Sequence, residues 1–282
     1  HQDLKHNTAE FISLAGAGLE CPLGEIVIVD KNGARKNFDL EKFATLHRGN
    51  QELKNFKTLP LKTAKLHPKN AKGKSKNPFR LRGKAIEFVQ YADGKNPIEI
   101  GFETIWAPEH AGKPAMPVEI FDPVGTPYGK FIIDTKDFVY RFKPVNPGVY
   151  RFKINSCSRS LHIYSSAPGH AFGASHRLGF FRCQGTLYFL VPAGVKKFAI
   201  EIYGSVPNEP VEASVIDPDG KIRVSVPYKT GTQIMSVERK NSDNDEIWSV
   251  NITRACEDWA LRLGAPLPPF LYTSPENLLI IK

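Results

Sequence analysis

Cysteine is scarce in this sequence: four in 282 residues, at Cys21, Cys157, Cys183 and Cys256. A chain this long with so few does not rest on a disulfide framework. None of them is spaced as CxxC, which argues against a structural zinc site. A Cys157–Cys183 bridge stays open. Long apolar runs are missing too, and no stretch approaches the roughly 18 consecutive apolar residues of a membrane-spanning helix. No signal peptide is visible and the chain opens on His1 without Met, so it reads as a processed, tagged or excised piece. Neither the Gly-x-Ser-x-Gly nucleophile elbow nor the phosphate-binding glycine loop is found, so neither chemistry has a motif here.

What is abundant points to β structure. Proline and glycine number 22 each, a high share for a helical protein. They suit a turn-rich chain, because Gly supplies positive φ and Pro pre-sets turn geometry. The hydrophobic fraction of 41% and charged fraction of 24% are those of an ordinary globular protein. The length suggests about two domains.

The net charge is +9, and much of it lies between Leu53 and Lys84, which holds eleven Lys and Arg and no acidic residue. Lys54, Lys57, Lys62, Lys65, Lys69, Lys72, Lys74, Lys76, Arg80 and Arg82 form the candidate polyanion contact. A basic block of this kind meets nucleic acid, an anionic envelope polymer or polysaccharide, or an acidic protein partner, or it is a solvated linker. Pro60, Pro68 and Gly73 break any regular pattern, so the stretch reads as extended surface chain. Upstream of it, Phe11, Ile12, Leu14 and Leu19 suggest a helix within residues 1–20. Residues 24–30 read as a strand closed by a Lys31-Asn32-Gly33 turn, and 39–46 as another helical turn or two.

From Lys84 onward, short runs of alternating apolar residues are separated by Gly, Pro, Asn and Asp clusters, as in a sandwich or barrel. They repeat. Tyr150, Phe152 and Ile154 fall on Trp248, Val250 and Ile252, and Ile163 on Leu261. Ala167-Pro168 falls on Ala265-Pro266 and Phe172 on Phe270, all 98 residues apart. Upstream, the segment Pro117–Gly125 resembles Pro210–Gly220, and Ile98-Glu99-Ile100 resembles Ile200-Glu201-Ile202. The expectation is an all-β chain: two tandem antiparallel β-sandwich domains, jelly-roll or Ig-like, at 84–175 and 176–282. An irregular basic N-terminal segment at 1–83 would precede them. Units of about 90 residues match the size of such sandwiches.

The second unit carries Tyr188-Phe-Leu-Val-Pro-Ala-Gly194, Phe198-Ala-Ile-Glu-Ile202, Asp217-Pro-Asp-Gly220 and Trp248-Ser-Val-Asn-Ile252. This succession resembles the bacterial pre-peptidase C-terminal type of β-sandwich. The first unit is a degenerate copy, with Tyr91-Ala-Asp-Gly94 in place of Val-Pro-Ala-Gly and an insertion from Trp106 to Pro117. The resemblance implies a secreted, periplasmic or cell-surface protein. It implies an accessory role, binding glycan or spacing a catalytic domain, and it brings no catalytic residues. The structural alternative is an assembly protein docking through its basic arm; the enzymatic one is the C-terminal part of a larger secreted hydrolase.

Within the insertion, Glu109 and His110 flank Trp106. Aromatic rings stack on sugar faces and neighbouring polar groups orient hydroxyls, so this trio is the candidate ligand site; packing over a sandwich end is the alternative. His1, with His6 or His47, invites a copper reading that a processing scar explains equally. His162, His170 and His176 form a loose group that polar linker composition accounts for. No cofactor is expected. Calcium is the one metal the loop carboxylates Asp122, Asp217 and Asp219 suggest, but they are too few alone for its six or more oxygen ligands. Trp248 and Trp259 read as core.

Overall fold

The structure is a computed structural model that describes residues 79–105, 116–156, 159–239 and 244–281, with strand backbone also at 26–29, 35–38 and 56–58. No α-helix occurs among the described residues; a single 3₁₀ turn spans Pro275–Asn277. The chain divides into two compact units, His1–Arg48 and Gly49–Lys282. The first contains the antiparallel pair β1 (Ile26–Val29) and β2 (Arg35–Phe38), where the strand at 24–30 was expected. The helical readings over 1–20 and 39–46, and His1, His6 and His47, lie outside the described residues.

The second unit is built of antiparallel sheets. It opens with β3 (Phe56–Thr58), a short strand inside the basic stretch that pairs with the last one, β22 (Leu279–Ile281). An eight-stranded sheet runs β18 (Gly231–Glu238), β15 (Lys197–Gly204), β20 (Asp258–Leu263), β13 (Leu178–Phe181), β4 (Leu81–Arg82), β11 (Ser160–Ser165), β6 (Ile98–Ile105), β9 (Asp137–Phe142). A six-stranded sheet runs β21 (Phe270–Leu271), β12 (His170–Gly173), β5 (Ile86–Ala92), β10 (Gly148–Ile154), β7 (Met116–Phe121), β8 (Pro127–Ile133). A four-stranded sheet runs β14 (Gly185–Val191), β19 (Glu246–Ala255), β16 (Val211–Ile216), β17 (Ile222–Lys229).

The strand orders repeat element for element. The order β4-β11-β6-β9 in one half of the eight-stranded sheet is matched by β13-β20-β15-β18 in the other, and β5-β10-β7-β8 by β14-β19-β16-β17. Register agrees as well. Phe152 stands opposite Phe88 and Ile120, and its counterpart Val250 stands opposite Leu187 and Val215. One expected alignment is off by a pleat. Ile163 faces Phe102 while Leu261 faces Ile202, so Ile100 corresponds to Ile200, not Ile202. With a side-chain period of two, a slip of two residues leaves the same face apolar, so the pattern could not see it.

Alternation drives the packing. Along β10 the side chains of Tyr150, Phe152 and Ile154 are buried while Lys153 is exposed. Rings from facing sheets meet edge to face: Phe142 on Phe152 at 5.6 Å, and Phe198 on Trp248 at 5.2 Å. One continuous buried cluster runs through both halves.

The halves are joined twice. Leu81 sits opposite Phe180 in the eight-stranded sheet. These two are themselves repeat counterparts, since Leu81 faces Leu161 and Phe180 faces Trp259. An antiparallel pair of equivalent residues puts a local twofold axis through their midpoint. Phe180 stacks on Trp259 at 4.2 Å and meets Phe79 edge-on at 5.7 Å. On the other side, β12 of the first half pairs with β21 of the second, and Tyr188 and Tyr272 exchange both backbone hydrogen bonds, at 2.8 and 2.9 Å, bridging the four- and six-stranded sheets. A second, smaller apolar cluster covers that bridge, with Val89, Val149, Ala171 and Leu190 under Phe270, Tyr272, Leu278 and Leu279.

The turns keep their chemistry in both copies. Asp122 Oδ1 accepts from the N–H groups of Val124 and Thr126, and Asp217 Oδ1 from those of Asp219 and Lys221. The following Gly125 and Gly220 have φ of 89° and 78°. Asp217 Oδ2 also accepts from Arg223. These carboxylates hold hairpins. The turn written Tyr91-Ala-Asp-Gly94 survives its sequence change: Gly94 and Gly194 have φ of 77° and 76°.

Candidate functional site

A cleft of about 420 Å³ opens at one end of the six-stranded sheet, where the start of β5, the end of β10 and the start of β7 meet. Lys84, Glu87, Glu119, Lys153, Asn155 and His176 supply its polar lining, and Ala85, Ile86, Pro117 and Ile154 the rest. Strand pairing determines the layout. Glu87 faces Lys153, Lys153 faces Glu119, and Glu119 faces Lys130. Four adjacent strands thus carry one row of alternating charge on the outward face. Opposite charges directly across strands contribute roughly 0.2–1 kcal/mol each.

The repeat supplies an internal comparison. The same row in the second half reads Thr186, Asn251, Ser214, Ser225, at the same register positions. There the side chains satisfy one another: the Thr186 hydroxyl bonds Asn251 Oδ1 at 3.2 Å, and the Ser214 and Ser225 hydroxyls bond at 2.8 Å. One copy of the fold closes the row with neutral groups; the other opens it into a charged cleft.

Two residues shape the cleft from the β12 side. Gly173 leaves room for Glu87, because a Cβ at 173 would stand 2.9 Å from Glu87 Cβ and 3.3 Å from its Cδ. The Glu87 stem therefore lies across Gly173. Burial pushes the Glu87 carboxyl above the usual carboxylate range, against the pull of Arg151, His176 and Lys153. His176 Nε2 lies 2.8 Å from the Ala85 carbonyl, which can only accept, so that nitrogen carries the proton. Its Nδ1 is 3.3 Å from the Ser175 hydroxyl. Arg151, one row away, lies 4.9 Å over the Phe121 ring.

Most of the residues expected to bind ligand or polyanion lie outside the described residues. Trp106, Glu109 and His110 lie outside the described residues, in the segment joining β6 to β7. Lys54, Lys62, Lys65, Lys69, Lys72, Lys74 and Lys76 also lie outside them; Lys57 belongs to β3, opposite Ile280. Arg82 pairs with Asp258 at 3.1 Å and lies 4.6 Å over Phe181. The Arg80 carbonyl accepts from Phe181 N–H. The three histidines have separate surroundings. His162 is in β11 opposite Glu103, while His170, expected in a linker, is in β12. His170 Nε2 accepts from the Asn277 amide at 3.2 Å and Nδ1 faces the Ala167 carbonyl at 3.2 Å. Burial pushes its pKa down to about 4. Cys183 is a buried thiol and Cys256 an exposed one; Cys157 lies outside the described residues. Trp248 and Trp259 are core residues, 3% and 2% exposed.

Glu87 and Glu119 escaped sequence reasoning because each is an ordinary polar residue on the wet side of a strand, and Asn155 because it is one just past the end of β10. The signal was there in part: Lys153 alternates with Phe152 and Ile154. What it meets depends on which strands lie beside it. No protein-family model matches this chain, and a search of curated proteins finds no match.

Proposed function

We propose that this protein is a non-catalytic accessory module of a secreted or cell-surface protein, a tandem pair of jelly-roll or Ig-like sandwiches that holds carbohydrate in the cleft beside Glu87. The observation carrying this reading is the contrast between the two copies of one strand row. Where the second copy satisfies its own hydroxyls and amides, the first presents carboxylates, lysines and an amide to a concave surface. Clefts of about 300–1,000 Å³ hold small ligands, and this one is at the small end, sized for a short stretch of sugar. Carboxylates accept from sugar hydroxyls while Lys and Asn donate to them. The resemblance of the second half to pre-peptidase C-terminal sandwiches supports an accessory role and an extracellular or periplasmic setting. The chain carrying Trp106, Glu109 and His110 leads into β7, whose second residue, Pro117, belongs to the cleft wall, which supports the three as additional ligand contacts.

Retention on a panel of immobilised polysaccharides tests this reading. The native protein is retarded by at least one, Glu87→Ala weakens that at least tenfold, and Thr186→Ala, at the equivalent place in the second copy, leaves it unchanged. No retention on any glycan, or equal loss from both substitutions, overturns it.

A further inference from the structure

Resting on that reading, we propose that the cleft selects uncharged, hydroxyl-rich sugar and rejects both uronate and cationic amino sugar, because the alternating row Glu87–Lys153–Glu119–Lys130 is already neutral within itself. The chain's net charge of +9 would suggest the opposite, an anionic ligand. The cleft is not a sample of that charge. Its two lysines, Lys84 and Lys153, are matched by two carboxylates, Glu87 and Glu119.

Each charge in the row has an opposite charge as its cross-strand neighbour. A carboxylate entering beside Lys153 must therefore approach Glu87 and Glu119 on both sides, and like charges that close oppose binding. An ammonium entering beside Glu119 meets Lys153 and Lys130 in the same way. A neutral diol meets neither penalty. Its oxygen atoms take hydrogen bonds from Lys153, Lys84 and Asn155, and its hydroxyls donate to Glu87 and Glu119, while every charge in the row keeps its opposite cross-strand neighbour. Hydrogen bonds with one ionised partner are about twice as strong as neutral ones, which is what the charged row adds over the Thr186–Asn251 row in the other copy. Glu87 is the orienting acceptor. Its stem is laid across Gly173, which limits the positions of its carboxyl, and an acceptor held in place loses less entropy on binding.

Protection of the cleft lysines from acetylation, with the intact protein labelled in the presence of short soluble oligosaccharides and then read by peptide-level mass spectrometry, separates the outcomes. The probes are uncharged gluco- and manno-oligosaccharides, oligouronates and glucosamine oligomers at matched concentration. The expected result is that an uncharged oligosaccharide protects Lys84 and Lys153 at least fivefold, while oligouronate and glucosamine oligomers leave them as reactive as in the free protein. Glu119→Lys brings oligouronate protection to the same two lysines. Gly173→Ala, folded by its thermal transition, reduces protection by the uncharged sugar. Protection of Lys153 in the native protein by oligouronate or glucosamine oligomers, equal to or above that by uncharged sugar, overturns the selectivity and leaves carbohydrate binding standing. Protection by none of the three overturns both.

Discussion

Tyr164 lies over Gly101 on the open face of the eight-stranded sheet: a Cβ at 101 would stand 1.8 Å from the Tyr164 ring. The two face each other across β6 and β11, and their counterparts in the second copy are Glu201 and Arg262, joined by an ion pair. Glu201 there is 7% exposed and shared with Arg177. A bare glycine covered by an aromatic ring thus replaces a carboxylate between two guanidinium groups. Gly101→Ala is expected to cost about 1–3 kcal/mol, the usual range for overpacking. In Tyr164→Ala the same change costs much less, so a double-mutant cycle by urea denaturation returns a coupling above ~1 kcal/mol.

His170 makes stability depend on acid. Its folded pKa, about 4, is below the unfolded value near 6.5 because burial disfavours the charged ring. Between these values the unfolded chain binds the extra proton. Stability is therefore full above about pH 6.5, falls as pH drops through that window, and stops falling on this account below about 4. The full shift corresponds to at most about 3 kcal/mol. His170→Asn is expected to flatten the urea midpoint between pH 6.5 and 4 relative to the native protein.

The core crosses the junction, so the two halves should unfold together. Calorimetry on the chain is expected to show one transition for the two halves. Two independent domains would give two. Phe180→Ala removes the ring stacked on Trp259 at the junction and is expected to cost about 3–5 kcal/mol.

The thiols should react in a fixed order. Cys256 is exposed and is expected to take a maleimide in the native protein within minutes. Cys183 is buried, and burial pushes its thiol up to about 11, so little thiolate is present at neutral pH. Peptide mapping is expected to find label at Cys183 only after unfolding.

The repeat was legible because strands write their burial into a period of two. Tyr150, Phe152 and Ile154 announce their counterparts Trp248, Val250 and Ile252, and the Asp-Pro-x-Gly turns mark the hairpins between β7 and β8 and between β16 and β17. His170 was misjudged for a physical reason: in a Gly- and Ser-rich stretch, nothing local distinguishes a linker from a short strand completed by distant β5. The β3–β22 pair was hidden likewise, since a three-residue strand has no period to detect. The Ile98 alignment failed by two residues because a full pleat preserves every apolar position.

The sequence alone determined the all-β architecture, its duplication and its turn chemistry, because each depends on residues close in the chain. Only the tertiary structure decided the rest. It set Leu81 against Phe180 at a local twofold, carried one core through both copies, and brought Glu87, Lys153 and Glu119 side by side. Those relations join residues far apart in the chain. They follow from which strand lies beside which, and alternation along a single strand holds no record of its neighbour.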